Sequence, residues 1–244
     1  MTADDLLGQT VVVIGGSAGI GLATARQARA EGADVILTGR NSDRLDEAAS
    51  EVGARSTAAF DAHDLTALEE FLGQHLEAPV DHMMVTAGRP YYAPLVEMDF
   101  DEARRGLYEH LMVMLAVARC AGEKVRPGGT LVFMGGTGGR RPGVGMGVIG
   151  AATAALPALT ANLAIEIAPV RVNLIAAGFV DTPLSAELLG DGLEARRDQL
   201  RTTLPIGRVV GPADVAALAV HLMTNTALSG AMYDIDGGQQ LVPG

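Results

Sequence analysis

The sequence has few of the features that indicate secretion or membrane insertion, such as paired cysteines and long apolar runs. It has no tryptophan, 4% aromatic residues and a single cysteine, Cys120, which cannot form an internal disulfide. Apolar neighbours predict a buried helix position for this thiol and agree with a reducing compartment. No apolar run reaches the roughly 18 residues of a membrane span, and the N-terminus lacks the basic region and apolar core of a signal peptide. We therefore expect a soluble cytoplasmic protein.

Positive charge is also scarce. Lysine and arginine total 18 against 29 acidic residues, the formal net charge is −11, and Lys124 is the only lysine. Nucleic-acid binding needs clustered positive charge that displaces counterions from phosphates, so this composition argues against it. We expect a small-molecule substrate as the partner and no metal site.

The stretch that organises the chain is 11–40, VVVIGGSAGIGLATARQARAEGADVILTGR. An apolar run ends in the glycines Gly15, Gly19 and Gly21, an amphipathic segment follows, and a second apolar run closes the unit. This order predicts strand, phosphate loop, helix and strand. Glycine lets the backbone approach a pyrophosphate at the positive end of the helix, so a dinucleotide is the predicted ligand.

The same alternation continues to the C-terminus. Seven short apolar strands separated by helices predict an α/β, Rossmann-like, doubly wound fold with a parallel sheet covered on both faces. No linker interrupts it, which favours a single domain over 1–244. Two long helices are predicted at about 100–125 and 149–168. Residues 181–204 carry charges without a long apolar face, and we expect a mobile, partly helical segment on the substrate side.

Several motifs in order resemble the classical short-chain dehydrogenase/reductase family across essentially the whole chain. They are GGSAGIG at 15–21, Asp61, Ala87-Gly88, Arg171-Val172-Asn173, GFVDTP at 178–183 and Asp236-Gly237-Gly238. A lone glycine pattern is weak evidence, but several motifs at family spacing are specific. The resemblance implies an oxidoreductase that assembles as a homotetramer or dimer through the two long helices and the C-terminal strand.

The resemblance also implies which residues contact the cofactor. The pyrophosphate and adenosine ribose would be held by Gly15, Ser17, Gly19 and Ile20. Asp61 would accept a hydrogen bond from the adenine amino group, with Ala62 beneath the ring and Ala87 and Gly88 against the ribose. The nicotinamide carboxamide would be anchored by Gly178, Val180 and Thr182.

The end of the second strand distinguishes NADP from NAD. NAD enzymes place a carboxylate there, which binds the ribose hydroxyls and would repel a 2′-phosphate. Here the position holds Gly39, followed by Arg40, and a guanidinium binds phosphate through paired hydrogen bonds. NADP is therefore the predicted cofactor; the alternative is a solvated Arg40 paired with Asp43.

The catalytic residues of the resembled family are not found in the sequence. Its serine, tyrosine and lysine positions align with Gly136, Ile149 and Thr153. No Tyr-x-x-x-Lys exists at all, because Tyr91, Tyr92, Tyr108 and Tyr233 are followed four residues later by Leu95, Val96, Met112 and Gly237. Loss of a general acid costs about 10² to 10⁴ in rate, so we do not expect ordinary ketone reduction.

Three interpretations remain open. In the first, the substrate is an imine, whose iminium form needs no proton at the reacting atom. In the second, the proton donor is a different residue, Tyr91, Tyr92, Tyr108 or His110, while Arg140 and Arg141 bind an anionic substrate. The alternatives are loop packing for the tyrosines, an ordinary helix residue for His110 and a solvated loop for the arginine pair. In the third, the protein is a catalytically silent NADP-binding sensor or partner subunit. The nicotinamide-end residues Gly178, Val180 and Thr182 favour an oxidoreductase.

Overall fold

A computed structural model describes residues 5–76, 79–140 and 142–242, except for the side chains at 109 and 110. Its seven strands are β1 (Thr10–Ile14), β2 (Asp34–Gly39), β3 (Ser56–Ala59), β4 (Val80–Val85), β5 (Val125–Gly136), β6 (Arg171–Ala177) and β7 (Met232–Ile235). They form one parallel sheet in the order β3-β2-β1-β4-β5-β6-β7. The predicted doubly wound parallel sheet is confirmed.

Helices connect the strands and cover both faces of the sheet. They are α1 (Gly19–Ala30), α2 (Ser42–Val52), α3 (Leu65–Glu70), α4 (Phe100–Lys124), α5 (Gly147–Glu166), α6 (Pro183–Leu189), α7 (Leu193–Thr203) and α8 (Pro212–Thr224). α3 continues into a π-helical turn at Phe71–His75. α4 and α5 correspond to the two long helices predicted from the sequence.

Alternation along the central strand creates two separate cores. Val12 and Ile14 of β1 pack on the side of α3, α4 and α5, while Val11 and Val13 pack on the side of α1, α2 and α8. Both faces of β1 are fully buried, as expected for a parallel strand between helical layers. β1 is also central in the sheet, since Val12 lies beside residues of both β2 and β4. The turn after β1 is thereby fixed against the neighbouring strand ends.

The two long helices, α4 and α5, pack on the same face of the sheet. By length and composition α5 resembles a membrane-spanning helix, but it packs against β6 and α4 in this fold. Cys120 of α4 was predicted to be buried and is only partly so. The reason is its position at the edge of the helix face that contacts the core. Burial still raises the pKa of its thiol.

Residues 181–204 are more helical than predicted. α6, a 3₁₀ turn at Gly190–Gly192 and α7 account for nearly all of the segment. α6 buries no side chain and α7 buries only Leu200. The lack of a long apolar face, seen in the sequence, therefore corresponds to helices that lie on the surface.

Arg171, the first residue of β6, joins the sheet to the end of α8. Its guanidinium is buried and donates to the carbonyl oxygens of Gly128, Leu222, Met223, Asn225 and Leu228, at 2.7 to 3.2 Å. Burial lowers the pKa of the side chain. The charge is stabilised by carbonyl dipoles at a helix C-terminus, where a cation is favourable.

Replacing this arginine should destabilise the fold strongly. We expect Arg171→Met to lower the free energy of unfolding by about 3 to 5 kcal/mol, because several buried carbonyls lose their donor. Arg55→Met is the control, since Arg55 is exposed and 3.9 Å from Asp34, and it should cost less than about 0.5 kcal/mol. Urea unfolding midpoints measure both effects. Equal midpoints for the two variants would contradict this assignment.

Candidate active site

A cleft of about 1250 Å³ runs along the carboxyl ends of the parallel strands. Its floor is formed where β1, β2, β4, β5 and β6 end, and the strand order reverses between β1 and β4. In open α/β sheets this reversal leaves a crevice in which ligands bind. The residues assigned to the cofactor by resemblance all line it: Gly15, Ser17, Gly19, Ile20, Arg40, Asp61, Ala62, Ala87, Gly88, Gly178, Val180 and Thr182.

Gly15, in the turn after β1, and Gly21, in the first turn of α1, have no space for a side chain. A Cβ on Gly15 would lie 2.7 Å from the Thr86 Oγ1, and one on Gly21 would lie 2.2 Å from the Gly15 oxygen. Gly15 also has φ +94°, a region that L-residues rarely adopt. Thr86 Oγ1 donates to the Gly15 oxygen at 2.9 Å and fixes the turn to the end of β4.

The same glycines leave the start of α1 open towards the cleft. Ala18 precedes the helix without a side-chain cap, so the first N–H groups are available to an anion. A dinucleotide pyrophosphate therefore fits the residues that are present here.

The end of the cleft that the resemblance assigns to adenine combines an acid with basic residues. Asp61 Oδ1 accepts from the backbone N–H of His63 and lies 3.0 Å from the His63 Nδ1. Burial works to raise the pKa of the Asp61 carboxyl, but these hydrogen bonds and the charge of Arg40 outweigh it, and the pKa is lowered. Arg40 and Arg44 both line this end. An ionised Asp61 can accept from an adenine amino group while the arginines face a phosphate.

The C-terminal turn holds the end of the cleft that the resemblance assigns to the nicotinamide. Gln239 Oε1 accepts from the backbone N–H of Phe179 at 2.8 Å. A Cβ on Gly178 would lie 2.6 Å from that same oxygen and 2.7 Å from the Asp236 Cβ. Thr182 sits opposite the phosphate loop, 3.5 Å from the position of a Cβ on Gly19. The loop after β6 therefore stands close to the loop after β1 across the cleft.

Gly136, Ile149 and Thr153, the positions that the resemblance assigns to catalysis, present few polar groups to the cleft. Ile149 and Thr153 of α5 are buried and line the cleft beside Gly136, at the end of β5. The Thr153 hydroxyl donates to the Ile149 carbonyl oxygen at 2.8 Å, within its own helix. A Cβ on Gly136 would make only ordinary contacts, at 3.6 Å from the Ala177 oxygen. Packing therefore does not force glycine at this position.

The candidate proton donors are not all near this centre. Tyr92 lines the cleft with about 50% of its surface exposed, and partial burial raises the pKa of its hydroxyl, which stays protonated at neutral pH. Tyr91 also lines the cleft, but its hydroxyl accepts from the Asp99 N–H at 2.9 Å and anchors the loop to α4. Tyr108 is exposed on α4 and does not line the cleft. The His110 side chain lies outside the described residues.

Two basic groups considered from the sequence are engaged elsewhere. Arg140 forms a bidentate ion pair with Asp234, at 2.6 and 2.7 Å, and these hydrogen bonds lower the pKa of the carboxyl. Arg140 is not among the residues lining the cleft, so its binding of an anionic substrate stays a prediction. Arg141 lies outside the described residues. Lys124 donates to the Gly73 and Leu76 oxygens, and it is not among the residues lining the cleft.

Comparison with known proteins agrees with this architecture. A family model described as Enoyl-(Acyl carrier protein) reductase matches residues 15–240. The chain belongs to the short-chain dehydrogenase/reductase family. Short-chain dehydrogenase/reductase ATR9 of Stachybotrys chlorohalonatus is 29% identical over 95% of this chain and 96% of its own length. Membership of this family supports the interpretation of the chain as an oxidoreductase that binds a nicotinamide cofactor and a small-molecule substrate.

Two further relatives span nearly the whole chain. An NADP-dependent (R)-specific alcohol dehydrogenase of Lentilactobacillus kefiri is 28% identical over 96% of this chain and 98% of its own. The solved structure of MalC Reductase/Diels-Alderase from Malbranchea aurantiaca is 25% identical, with a TM-score of 0.89, and covers 98% of this chain and 99% of that one. These likenesses extend over both the cofactor side and the substrate side of the fold.

Some lining residues were missed by sequence reasoning. Arg44 could have been found, because it lies four residues after Arg40 in the helix that follows β2. Arg89, Glu187 and Gln239 also face the cleft. Arg89 directly follows Gly88, which was a usable signal, whereas Glu187 and Gln239 reach the cleft only through folding of distant segments.

The tight turn predicts a sharp difference between two glycine variants. Gly21→Ala should lower the free energy of unfolding by about 1 to 3 kcal/mol, because its Cβ overlaps the Gly15 oxygen. Gly73→Ala is the control: nothing lies within 4 Å of its Cβ, and stability should stay equal or rise slightly. Thermal unfolding under matched conditions measures both. A Gly21→Ala protein as stable as the control would refute the steric constraint.

Proposed function

We propose that this protein is an NADP(H)-dependent oxidoreductase that reduces an imine through its iminium form. The observation that carries the proposal is the reacting centre itself. Ile149 has no acidic proton, and the Thr153 hydroxyl is committed to a helix carbonyl at 2.8 Å. Gly136 supplies no hydroxyl. By the resemblance of the sequence to the family these are the positions of its catalytic tyrosine, lysine and serine, so we infer an atypical site.

Because these residues offer no proton donor, the substrate has to be one that is reduced without a proton from the protein. A reduced nicotinamide supplies a hydride when bound. An iminium carbon accepts that hydride and becomes a neutral amine with no proton transfer to the reacting atom. A ketone would become an alkoxide, and an unassisted alkoxide costs about 10² to 10⁴ in rate. The apolar wall at Ile149 excludes water without opposing the first reaction.

NADP is favoured over NAD by the charges at the end of β2. Gly39 offers no carboxylate to repel a 2′-phosphate, and both Arg40 and Arg44 line the adjacent wall. A guanidinium makes charge-assisted bonds with phosphate. The Lentilactobacillus kefiri relative, named as NADP-dependent, is consistent with this choice.

Two further features belong to the same proposal. Residues 181–204 form a mobile segment on the substrate side of a single 1–244 domain, supported by the shallow burial of α6 and α7. The protein assembles as a homotetramer or dimer through α4 and α5, which leave Leu115 and Ile165 exposed in the single chain. Apolar side chains on paired helices are favourable when a second copy covers them.

Cofactor choice can be tested by one charge removal. Arg40→Gln should raise the Kd for NADPH about tenfold to a hundredfold, because a charged hydrogen bond to phosphate is lost, and should leave the Kd for NADH nearly unchanged. Arg29→Gln, at an exposed position near Asp34, is the control. Calorimetric titration measures each Kd. An equal change for both cofactors would contradict a 2′-phosphate contact.

Substrate class is tested with a panel of cyclic imines, enones and ketones, followed by the loss of NADPH absorbance. We expect imine turnover, ketone turnover at least about 10² lower, and little effect of Tyr92→Phe or His110→Ala on the imine rate. Ketone reduction that either substitution lowers strongly would instead identify that residue as a relocated acid. Tight NADPH binding with no turnover of any class would favour the silent sensor or partner subunit.

A further inference from the structure

We propose that the ion pair between Arg89 and Glu187 is a latch across the cleft that controls how fast the dinucleotide exchanges. The proposal rests on the proposed NADP(H) binding. Arg89 Nη1 donates to Glu187 Oε1 at 2.7 Å. Both residues line the cleft, and both side chains are more than half exposed, at 55% and 60%. The contact therefore spans the mouth of the cleft and not its floor.

The two partners belong to opposite walls. Arg89 follows Ala87 and Gly88, in the loop after β4 that borders the adenosine ribose in the family arrangement. Glu187 lies on α6, just after Thr182, in the segment that borders the nicotinamide end. A dinucleotide lying along the strand ends has to pass between these walls. The ion pair joins them while its residues remain 98 positions apart in the chain.

Apart from this ion pair, α6 has few contacts that fix it to the rest of the described structure. None of its side chains is buried. The polar contacts at its N-terminus are local: Thr182 Oγ1 accepts from the Ser185 N–H, and the Ser185 hydroxyl donates to the Val180 oxygen at 2.6 Å. A segment with few buried contacts opens at low free energy. In such a segment a single bond to the opposite wall has a large share in keeping it closed.

The base of the segment is fastened separately. Arg197 of α7 donates to Asp181 Oδ1 at 2.6 Å, with both side chains about one third exposed or less. α6 can therefore lift while α7 stays attached, with the movement taken up near Gly190, whose φ is +50°. An exposed ion pair is weak and is screened by salt. Those properties suit a contact that must break at every exchange.

Hydrogen–deuterium exchange of the protein without cofactor tests the latch directly. In Arg89→Gln and in Glu187→Gln, amides of residues 184–190 should exchange about two- to fivefold faster at low salt, as the loss of an exposed ion pair allows. The charge-swapped Arg89→Glu/Glu187→Arg protein should return towards the original rate. Asp198→Asn, which breaks the exposed pair with Arg201 on α7, is the matched control and should leave these amides unchanged. Unchanged exchange in Glu187→Gln would overturn the proposal.

Cofactor release is the second measurement. NADPH fluorescence is followed after mixing the complex with excess NADP⁺. Both single variants should release NADPH about two- to fivefold faster than the unmodified protein at low salt, and the difference should vanish at high salt. Faster release in Arg89→Gln alone would mean that Arg89 binds the cofactor phosphates directly, and would overturn the latch. Failure of the original protein to bind NADPH would refute the proposed function, and amide exchange would then still decide the latch.

Discussion

The site depends on the lack of a Cβ at Gly15 and Gly21, around the turn after β1. The Gly15 oxygen lies only 2.2 Å from the position of a Cβ on Gly21. Thr86 Oγ1 donates to that same oxygen from the end of β4. These contacts bring the start of α1 directly over the gap between β1 and β4. The helix N-terminus, the left-handed glycine and the strand reversal therefore coincide at one place, which is what makes the crevice fit a pyrophosphate.

From this point the cleft divides into two halves with different physical demands. The half that the resemblance assigns to the cofactor is built largely from backbone: glycines without space for a Cβ (Gly15, Gly21 and Gly178), N–H groups at a helix start, and the Phe179 amide held by Gln239. Replacing such atoms disturbs the fold itself. The half that the resemblance assigns to the reaction is built from side chains of α5 and from the end of β5, where Gly136 has room for a side chain. Stability therefore constrains dinucleotide binding far more tightly than it constrains the reaction.

Sequence periodicity was sufficient for the sheet because each strand has its own local pattern. The glycine spacing and the Gly39-Arg40 pair likewise pointed to residues that line the cleft. What could not be predicted depends on pairs of distant residues. Asp234 forms an ion pair with Arg140 from 94 positions away, and Glu187 meets Arg89 from a segment whose lack of an apolar face showed only that it lies on the surface. Local patterns carry no information about such partners, since any exposed acid could have served.

The three positions assigned to catalysis by family resemblance show why the reaction can diverge. Gly136 has room for a side chain, with ordinary contacts at 3.6 Å, whereas Gly15 and Gly21 have none. Thr153 satisfies its own hydroxyl within α5, so it leaves no buried donor unpaired. Ile149 continues an apolar wall at no cost in hydrogen bonds. These residues have ordinary packing and satisfied hydrogen bonds without a ligand. The stability of the fold therefore does not require a proton donor at these positions. In the proposed function the substrate therefore brings its own activation, and an iminium carbon would do so through its positive charge.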